Sequence, residues 1–466
     1  MKNLFKTALY LYLLTFTFSC TDNDDNPVPA SLEVKDFVWK GMNLYYLWQG
    51  DVPDLADDRF ANQRQLNTFL EGFDEPTTLF NALRVDTSID RFSVIYSDYS
   101  VLEGVLSGNT LNNGMDFALR YKTGSNTDIY GWVRYIIPNS DAATKPIQRG
   151  TIFYDINGTP LTVDNYRSLL ANDTYTINLA DYDGGNITPN GQTVSLTKTA
   201  LAENPILLNT VITNGSHKIG YLMYNGFYST YDNQLNSVFG SFQTQNVTDL
   251  VLDLRYNSGG SISTATKLAS MITGQFTGQL FAKQQWNAKA QSYYESNSPS
   301  SLENRFVGNL NSLNLNKVYV LTTNATASAS ELVINCLKPY ITVVQIGTTT
   351  TGKNVGSITL YDSPTFAKQN VNPRHKYAMQ PIVLKIVDKN GFGDYTSGIA
   401  PTTPLPESMD DLGILGNPSE PLLNAAINQI IGSGRPTPSR PSNLQRDFAD
   451  LKSLSPLRTE MYIERQ

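Results

Sequence analysis

Apolar residues recur at helical spacing through residues 31–97, which indicates amphipathic helices. In the segment VKDFVWKGMNLYYLW (34–48), the residues brought toward one side of a helix are Phe37, Met42, Tyr45 and Leu47. LNTFLEGF (66–73) and TTLFNALR (77–84) continue the pattern. We therefore expect a small helical N-terminal domain that packs on the rest of the chain.

Residues 98–200 have a different pattern, in which short β-like runs alternate with turn residues. These runs are MDFALRY (115–121), YGWVRYIIP (130–138), GTIFYDING (150–158) and YTINLADYD (175–183). The stretch predicts a small β domain.

Near-continuous apolar runs alternate with amphipathic segments through residues 201–432. The strand-like runs are HKIGYLMYNGF (217–227), VTDLVLDLR (247–255), NKVYVLTT (316–323) and ITVVQIG (341–347). The helical segments between them are TATKLASMITG (264–274) and TASASELVINCL (326–337). Buried strands that alternate with helices indicate a largely parallel sheet, so the chain is predicted to be a multi-domain α/β protein. Residues 433–466 predict a polar C-terminal tail without a core stripe.

The first residues have the features of an export signal. Two lysines precede the apolar run ALYLYLLTFTF (8–18), which is too short to span a bilayer as a helix. Cys20 follows a small residue, and residues 1–20 resemble a bacterial lipoprotein signal in which this cysteine is lipidated. An ordinary secretory signal is the alternative. The acidic stretch 21–30 predicts a flexible tether and resembles the surface-export signal of some Bacteroidetes lipoproteins. The resemblance implies a lipid-anchored protein of the bacterial outer membrane, facing the periplasm or the cell surface.

Composition narrows the classes of partner. The net charge of −7 and the pI near 5 argue against a nucleic-acid binder, which would carry a basic stripe. No cluster of His, Cys and carboxylate residues has the spacing of metal ligands, so neither a metal nor a cofactor is expected. Cys336 lies in an apolar stretch and is expected to be a buried small hydrophobe.

Two segments share an arrangement in which a strand ends in a tight turn that leads into a helix. They are DLRYNSGG (253–260) and NATASASE (324–331). A helix N-terminus presents free backbone N–H groups, which suit a developing oxyanion. Ser328 begins the second helix among small residues and is the candidate nucleophile. Ser330 is less suitable because two further positions rotate it by about 200° around the helix.

The candidate base is a lysine. The chain holds only two histidines, His217 and His375, and neither accompanies a serine-containing Gly-rich turn. Lys353 follows in TTTTGKN (348–354), without charged neighbours. Lysine acts as a base at neutral pH only where burial lowers its pKa from ~10.4 toward ~7–8.

The motifs DLRYNSGG, TASASE and TGKNVGS, in this order, resemble those of the C-terminal processing (tail-specific) serine peptidases. The resemblance spans about residues 100–430 and implies a peptidase core of the crotonase/Clp-protease-like type. It also implies Ser328 as the nucleophile and Lys353 as the base. The implied oxyanion donors are the backbone N–H groups of Gly260 and Ala329.

The sequence does not decide which residue orients Lys353 as the third member of the site. Many relatives carry a glutamine four residues after the lysine, where this chain has Ser357. Ser357 could donate a weaker hydrogen bond to Lys353. Some relatives instead use the glutamate that corresponds to Glu331, which could orient Lys353 or simply cap its helix.

The segment PNSDAATKPIQRGTIFYDINGTPL (138–161) resembles the second half of a PDZ domain. A PDZ groove accepts an extended peptide as an added strand and holds its terminal carboxylate on backbone amides. The resemblance places this carboxylate loop at Asn113, Gly114 and Met115. A generic small β domain is the alternative.

Together these features predict a serine endopeptidase with a Ser–Lys dyad that captures polypeptides by their C-termini. The alternative is a peptide-binding surface lipoprotein on a peptidase-like scaffold with little turnover, because fold does not guarantee function. In either case the membrane partner would be reached through lipid on Cys20.

Overall fold

The computed structural model describes residues 27–433, 446–457 and 459–464. Cys20 and the signal that it ends therefore lie outside the described residues. Among those residues, no helix combines the length and apolarity needed to cross a membrane.

The N-terminal region is mainly helical, as its periodicity predicts. Its elements are α1 (Glu33–Tyr45), α2 (Gln63–Glu71), α3 (Pro76–Ala82), β1 (Val94–Tyr96), α4 (Tyr99–Leu106) and β2 (Asn109–Asn112). Phe37 and Met42 are buried in the main hydrophobic cluster. Tyr46, rather than Tyr45, is the fully buried tyrosine, and its hydroxyl donates to Asp90 at 2.8 Å.

An antiparallel sheet with one short helix forms the next region, which we call the β domain. Its elements are β3 (Met115–Tyr121), β4 (Ile129–Ile136), β5 (Ile152–Ile156), β6 (Thr159–Pro160), α5 (Tyr166–Ala171), β7 (Thr174–Asp183), β8 (Asn186–Thr197) and β9 (Thr199–Ala202). The sheet order is β3-β4-β5-β7-β8, and β6 pairs with β5. Asn157 and Gly158 both have positive φ, as a tight hairpin turn requires.

The largest region alternates strands and helices. Its elements are β10 (Ile206–Asn214), β11 (His217–Tyr224), α6 (Asp232–Thr244), β12 (Asp249–Asp253), β13 (Gly259–Ser261), α7 (Ile262–Thr273), β14 (Leu280–Trp286), α8 (Ala288–Asn297), β15 (Glu303–Arg305), β16 (Lys317–Thr322), α9 (Ala329–Leu337), β17 (Thr342–Gly347), β18 (Val355–Ser357), β19 (Leu360–Tyr361), β20 (Ala378–Gln380), β21 (Ile382–Asp388), β22 (Thr403–Pro404) and α10 (Pro421–Ile430).

The central sheet has the order β10-β11-β12-β16-β17-β22. Strands β11, β12, β16, β17 and β22 run parallel, and β10 is antiparallel to β11. Carboxyl ends of parallel strands meet at one edge of a sheet. The turns after the adjacent strands β12 and β16 therefore lie side by side, which brings the Gly-rich turn next to Ser328.

The C-terminal segment departs from the predicted polar tail. It forms β23 (Asp447–Asp450), a 3₁₀ turn (Leu451–Leu454) and β24 (Glu460–Tyr462). Strand β23 pairs with β3, and β24 lies between β13 and β18 in the sheet β13-β24-β18-β21-β14-β15. Leu457, Met461 and Tyr462 are buried. The prediction was wrong because these few apolar residues are too widely spaced to form a stripe, yet each fills a place in the existing core.

A buried arginine joins the β domain to the central sheet. Arg255 is fully buried, and its guanidinium contacts Asp253 at 2.8 Å and Glu420 at 2.7 Å. It also lies 3.0 Å from Glu407, whose carboxylate pairs with Arg149 of the β domain at 2.6 Å. The ion pair between Asp253 and Arg255 lies at the end of β12. It is part of a larger network that includes Glu407 and Glu420, which are distant in the sequence.

We expect Glu420→Ala to destabilise the protein by about 3–5 kcal/mol, because it leaves the buried Arg255 guanidinium partly unpaired. The free energy of unfolding in urea measures this. Glu71→Ala, at an exposed position on α2, is the matched control and should change stability by less than about 0.5 kcal/mol. Equal effects of the two substitutions would contradict the role of the network.

Candidate active site

Ser328 occupies a strained turn at the start of α9. Its backbone has φ +63° and ψ −114°, a conformation that is uncommon for a residue with a side chain. Its side chain is buried, and its Oγ has no hydrogen-bond partner among the described residues. A buried, unpaired hydroxyl on a strained backbone is an expensive arrangement for a merely structural serine.

Glu331 connects the Ser328 turn to the Lys353 turn. Its Oε2 accepts the backbone N–H of Ser328 at 2.7 Å and that of Lys353 at 2.9 Å. Its Oε1 accepts hydrogen bonds from the Thr350 hydroxyl at 2.5 Å and from the Gly352 N–H at 2.6 Å. Burial raises the pKa of this carboxyl, and the hydrogen bonds oppose that rise. Glu331 therefore caps α9 and fixes the Lys353 backbone, without a hydrogen bond to the Lys353 ammonium.

Lys353 is 1% exposed. Burial lowers the pKa of its ammonium to about 8, although the nearby Glu460, Asp90 and Glu331 act in the opposite direction. The Nζ atom donates to the Thr459 carbonyl oxygen at 2.7 Å and lies 4.6 Å from the centre of the Phe92 ring. No hydrogen bond joins Lys353 Nζ to Ser328 Oγ. The structure thus gives the lysine the desolvation that a base needs, while its nitrogen is engaged with the C-terminal segment.

Ser357 does not orient Lys353. Its hydroxyl donates to the Met461 carbonyl at 3.2 Å and accepts from Gln380 Nε2 at 3.0 Å. The expected bond to the lysine is absent because β18 pairs with β21 and β24, which turns Ser357 toward those strands.

The Gly-rich turn lies against Ser328. Asn257 Oδ1 accepts the Gly259 N–H at 2.9 Å and shapes the turn. A Cβ atom added to Gly259 would lie 2.7 Å from Ser328 Cβ and 3.1 Å from the Ala329 nitrogen, and would overlap the Glu460 carbonyl oxygen. Gly259 and Gly260 both have positive φ. Only glycine fits at position 259, because an added Cβ would crowd both the Glu460 carbonyl oxygen and the nitrogen of Ala329, one of the two predicted oxyanion donors.

Two of the three amides in the predicted carboxylate loop are already engaged in this structure. The Gly114 N–H donates to Asn112 Oδ1 at 2.8 Å, and the Met115 N–H donates to Asn113 Oδ1 at 3.1 Å. Met115 is fully buried. The assignment of Gly114 and Met115 as carboxylate ligands is therefore corrected, because asparagine side chains already accept from their N–H groups, and the assignment of Asn113 stays a prediction.

Comparison with known proteins decides the family. Residues 218–366, which include Ser328 and Lys353, match the Peptidase family S41. Residues 33–94 match the Peptidase S41 N-terminal domain. The chain thus carries two domains of peptidase family S41.

Known members of the family resemble this S41 chain to different extents. A carboxyl-terminal-processing protease of Picosynechococcus sp. (strain ATCC 27264 / PCC 7002 / PR-6) is 29% identical over 164 residues, which cover 35% of this chain. The match spans 36% of that relative's length. The crystal structure of an S41 protease from Bacteroides fragilis NCTC 9343 is 29% identical, with a TM-score of 0.66, over 85% of this chain and 97% of the other.

A photosystem II D1 C-terminal processing protease shares the fold at 18% identity. The TM-score is 0.50, over 83% of this chain and 95% of the other.

Several residues of this S41 site have no signal in the sequence. Asp90 and Phe92 reach Lys353 from the N-terminal domain, and Gln380 reaches Ser357 from a strand distant in the chain. Thr459 and Glu460 come from the C-terminal segment, for which the sequence predicts a polar tail. The buried-strand pattern of β12 and β16 predicts the two turns, but no local pattern predicts which distant side chains fill the space between them.

We expect Gly259→Ala to slow labelling of Ser328 by a fluorophosphonate by roughly 100-fold, because the new methyl group overlaps the oxyanion side of the site. The rate of covalent labelling measures this. Gly158→Ala is the matched control, since Gly158 also has positive φ (+81°) but has nothing within 4 Å of an added Cβ. A similar loss in both variants would indicate backbone strain rather than a steric effect on the site.

The labelling rate should rise with pH, with a midpoint near the Lys353 pKa of about 8. In the predicted dyad the neutral amine would accept the Ser328 proton. The neutral form predominates above this pH, and the protonated form predominates below it. Below the midpoint the rate should fall about tenfold per pH unit. Lys353→Ala should remove this dependence, and a wild-type rate that is flat between pH 6 and 9 would contradict the assignment.

Proposed function

We propose that this chain is a serine endopeptidase of the C-terminal processing type, with Ser328 as the nucleophile and Lys353 as the general base. The observation that carries the proposal is the junction made by Glu331. It holds the strained Ser328 turn against a buried lysine whose pKa is lowered to about 8. The Gly-rich turn supplies the neighbouring oxyanion site.

In the proposed reaction, Lys353 Nζ takes the Ser328 hydroxyl proton as Oγ attacks the substrate carbonyl carbon. The Gly260 and Ala329 amides stabilise the negative charge that develops on the carbonyl oxygen. The leaving amine receives the proton from Lys353, and water then hydrolyses the acyl ester with the same lysine as base. For this, Nζ must exchange its present acceptor, the Thr459 carbonyl, for Ser328 Oγ.

We also infer that the β domain is PDZ-like and captures polypeptides along β3. The support is the added strand that this edge already holds, since β23 pairs with β3 in antiparallel register. Peptides bind PDZ domains by this kind of strand addition. The groove between β3 and α5 also has two aromatic walls, Tyr121 and Tyr166, on which a side chain of the added strand packs.

A peptide-binding protein with little turnover is the second candidate. It is favoured by one observation, the bond from Lys353 Nζ to Thr459 in place of one to Ser328. A lysine held in this way would leave Ser328 without a base.

For location, we propose a lipid anchor on Cys20 that places the protein at the outer membrane. The proposal rests on the lipoprotein-like signal of residues 1–20. Radiolabelled palmitate should enter the wild-type chain in a bacterial host, and Cys20→Ala should prevent its incorporation.

We expect the chain to cleave an unfolded reporter with a free apolar C-terminus. Ser328→Ala and Lys353→Ala should each lower the rate by about 10³-fold or more, since nucleophile and base act as a unit. Ser330→Ala is the matched control, because the Ser330 hydroxyl donates to the Asn257 carbonyl and turns away from this reaction. Mass spectrometry of the products measures the rate.

Circular dichroism should show that all three variants remain folded. Cleavage that survives Ser328→Ala but not Ser330→Ala would overturn the assignment of the nucleophile. Reporter that binds without being cleaved by the wild-type chain would favour the binding protein.

A further inference from the structure

The segment 446–464 follows a path that connects the β domain to Ser328. It first adds β23 to the free edge of β3, with Asp447 opposite Arg120 and Asp450 opposite Ala118. It then passes through the 3₁₀ turn Leu451–Leu454 and ends as β24 beside the Gly-rich turn. One stretch of chain thus occupies both the proposed capture groove and the catalytic site.

The first part of this segment is held by specific side-chain contacts. The Phe448 ring packs edge-on against Tyr121 and Tyr166, with both centroids at 5.2 Å. The Asp447 carboxylate pairs with Arg120 at 2.7 Å. The Asp450 carboxylate lies 3.3 Å from Arg134, which is itself buried. Apolar, charged and strand-pairing contacts therefore act together at the capture groove.

The middle of the segment is half-buried and, among its described residues, has one buried contact point, Leu457. Leu457 is 2% exposed and belongs to a cluster with Tyr96, Leu102 and Tyr361. Burial lowers the pKa of the Lys452 ammonium, but Tyr228, Glu460 and Glu203 attract it and raise the pKa overall. Leu457 thus anchors the path between the two sites in a hydrophobic cluster.

The last part lies in the catalytic site in the manner of a substrate. Strand β24 pairs in parallel with the Gly-rich turn, with Gly259 opposite Glu460 and Gly260 opposite Met461. In this register, the Gly260 N–H faces the Glu460 carbonyl oxygen. A Cβ atom added to Gly259 would overlap this oxygen and would also lie 2.7 Å from Ser328 Cβ and 3.1 Å from the Ala329 nitrogen, so the Glu460 carbonyl and the Ser328 turn lie on the same side of Gly259. The preceding carbonyl, that of Thr459, accepts from Lys353 Nζ.

We propose that the segment 446–464 is the first substrate of this peptidase, bound within its own chain and cut between Glu460 and Met461. This inference rests on the proposed function. Its geometric basis is the Glu460 carbonyl, which faces the N–H of the predicted oxyanion donor Gly260 and lies on the side of Gly259 where the Ser328 side chain lies.

The reaction follows the proposed dyad chemistry. Ser328 Oγ bonds to the Glu460 carbonyl carbon as Lys353 takes the hydroxyl proton. The bond from that carbon to the Met461 nitrogen then breaks, and Lys353 returns the proton to the new Met461 amine. One water hydrolyses the ester, so that Glu460 gains a carboxylate and Ser328 regains its proton. The products together gain the mass of one water molecule.

Other polypeptides cannot use the site until this segment leaves it. The intact segment fills the edge of β3 and the space between β13 and β18, which are the two places where an external chain would pair. Cleavage of a reporter should therefore begin after a lag, and the lag should match the time course of cutting at Glu460.

The test is the intact mass of the purified full chain over time, beside Ser328→Ala. The wild type is expected to lose residues 461–466 and to end at Glu460, while Ser328→Ala keeps them. An equal mixture of the two tests whether the reaction is intramolecular. In that mixture the Ser328→Ala chain should stay intact, and its cleavage by the wild type would overturn binding within the same chain.

A second variant tests docking without touching the catalytic residues. Phe448→Ala should slow the cut at Glu460 by about tenfold, since it removes the aromatic contact at the groove. The lag of reporter cleavage should then be shorter than the time course of the cut, because the loosely held segment leaves the site without being cut. Phe392→Ala is the matched control, because Phe392 is exposed and distant from the segment in sequence. Unchanged rates in Phe448→Ala would overturn the docking path.

The outcomes separate this inference from the proposed function. Reporter cleavage with an intact Glu460–Met461 bond, or with a cut elsewhere in the segment, would overturn the inference alone. Failure to cleave either the reporter or the segment would overturn the proposed function and the inference with it.

Discussion

The arrangement of the site depends on the buried carboxylate of Glu331. It accepts hydrogen bonds from the turn that carries Ser328 and from the turn that carries Lys353. These turns follow neighbouring parallel strands, so the sheet brings them near each other, and Thr351 joins them directly through its N–H, which donates to the Thr326 carbonyl at 2.9 Å. The shared Glu331 acceptor adds a second connection between them. A buried carboxylate with four donors is well compensated, whereas one without them would be costly. Glu331 therefore makes the strained Ser328 backbone and the lysine turn a single unit.

The basicity of Lys353 is a property of the whole fold. Its own turn supplies no charge, and its desolvation comes from Phe92 of the N-terminal domain and from the C-terminal segment. Glu460 opposes the effect of burial by favouring the charged ammonium. Departure of the segment would thus remove a nearby carboxylate and the Thr459 acceptor together, while admitting solvent or substrate. The occupant of the site is consequently one of the factors that set the protonation of the base.

Sequence periodicity predicts the parts of this structure that local chemistry determines. The apolar runs of β12, β16 and β17 are buried on both faces, and Gly274 ends α7 with positive φ. Sequence periodicity does not predict the role of a residue where that role depends on a partner distant in the chain. Ser357 occupies the predicted position but bonds to Gln380 and Met461, and the amides of Gly114 and Met115 are taken by neighbouring asparagines. Two segments with the same apolar content can differ, one being a solvated tail and the other a buried strand. Which of the two forms depends on whether the rest of the fold leaves an unpaired strand edge for the segment.

Unpaired strand edges explain why the described part of the C-terminal segment pairs with the rest of the protein. The edge of β3 and the space between β13 and β18 each expose backbone groups that require a pairing partner. Under the proposed function, these edges are where an extended polypeptide substrate would pair. A segment of the same chain would reach them at a high effective concentration and compete with dilute external peptides. Occupancy of the site by its own chain therefore follows from the open strand edges that peptide recognition requires.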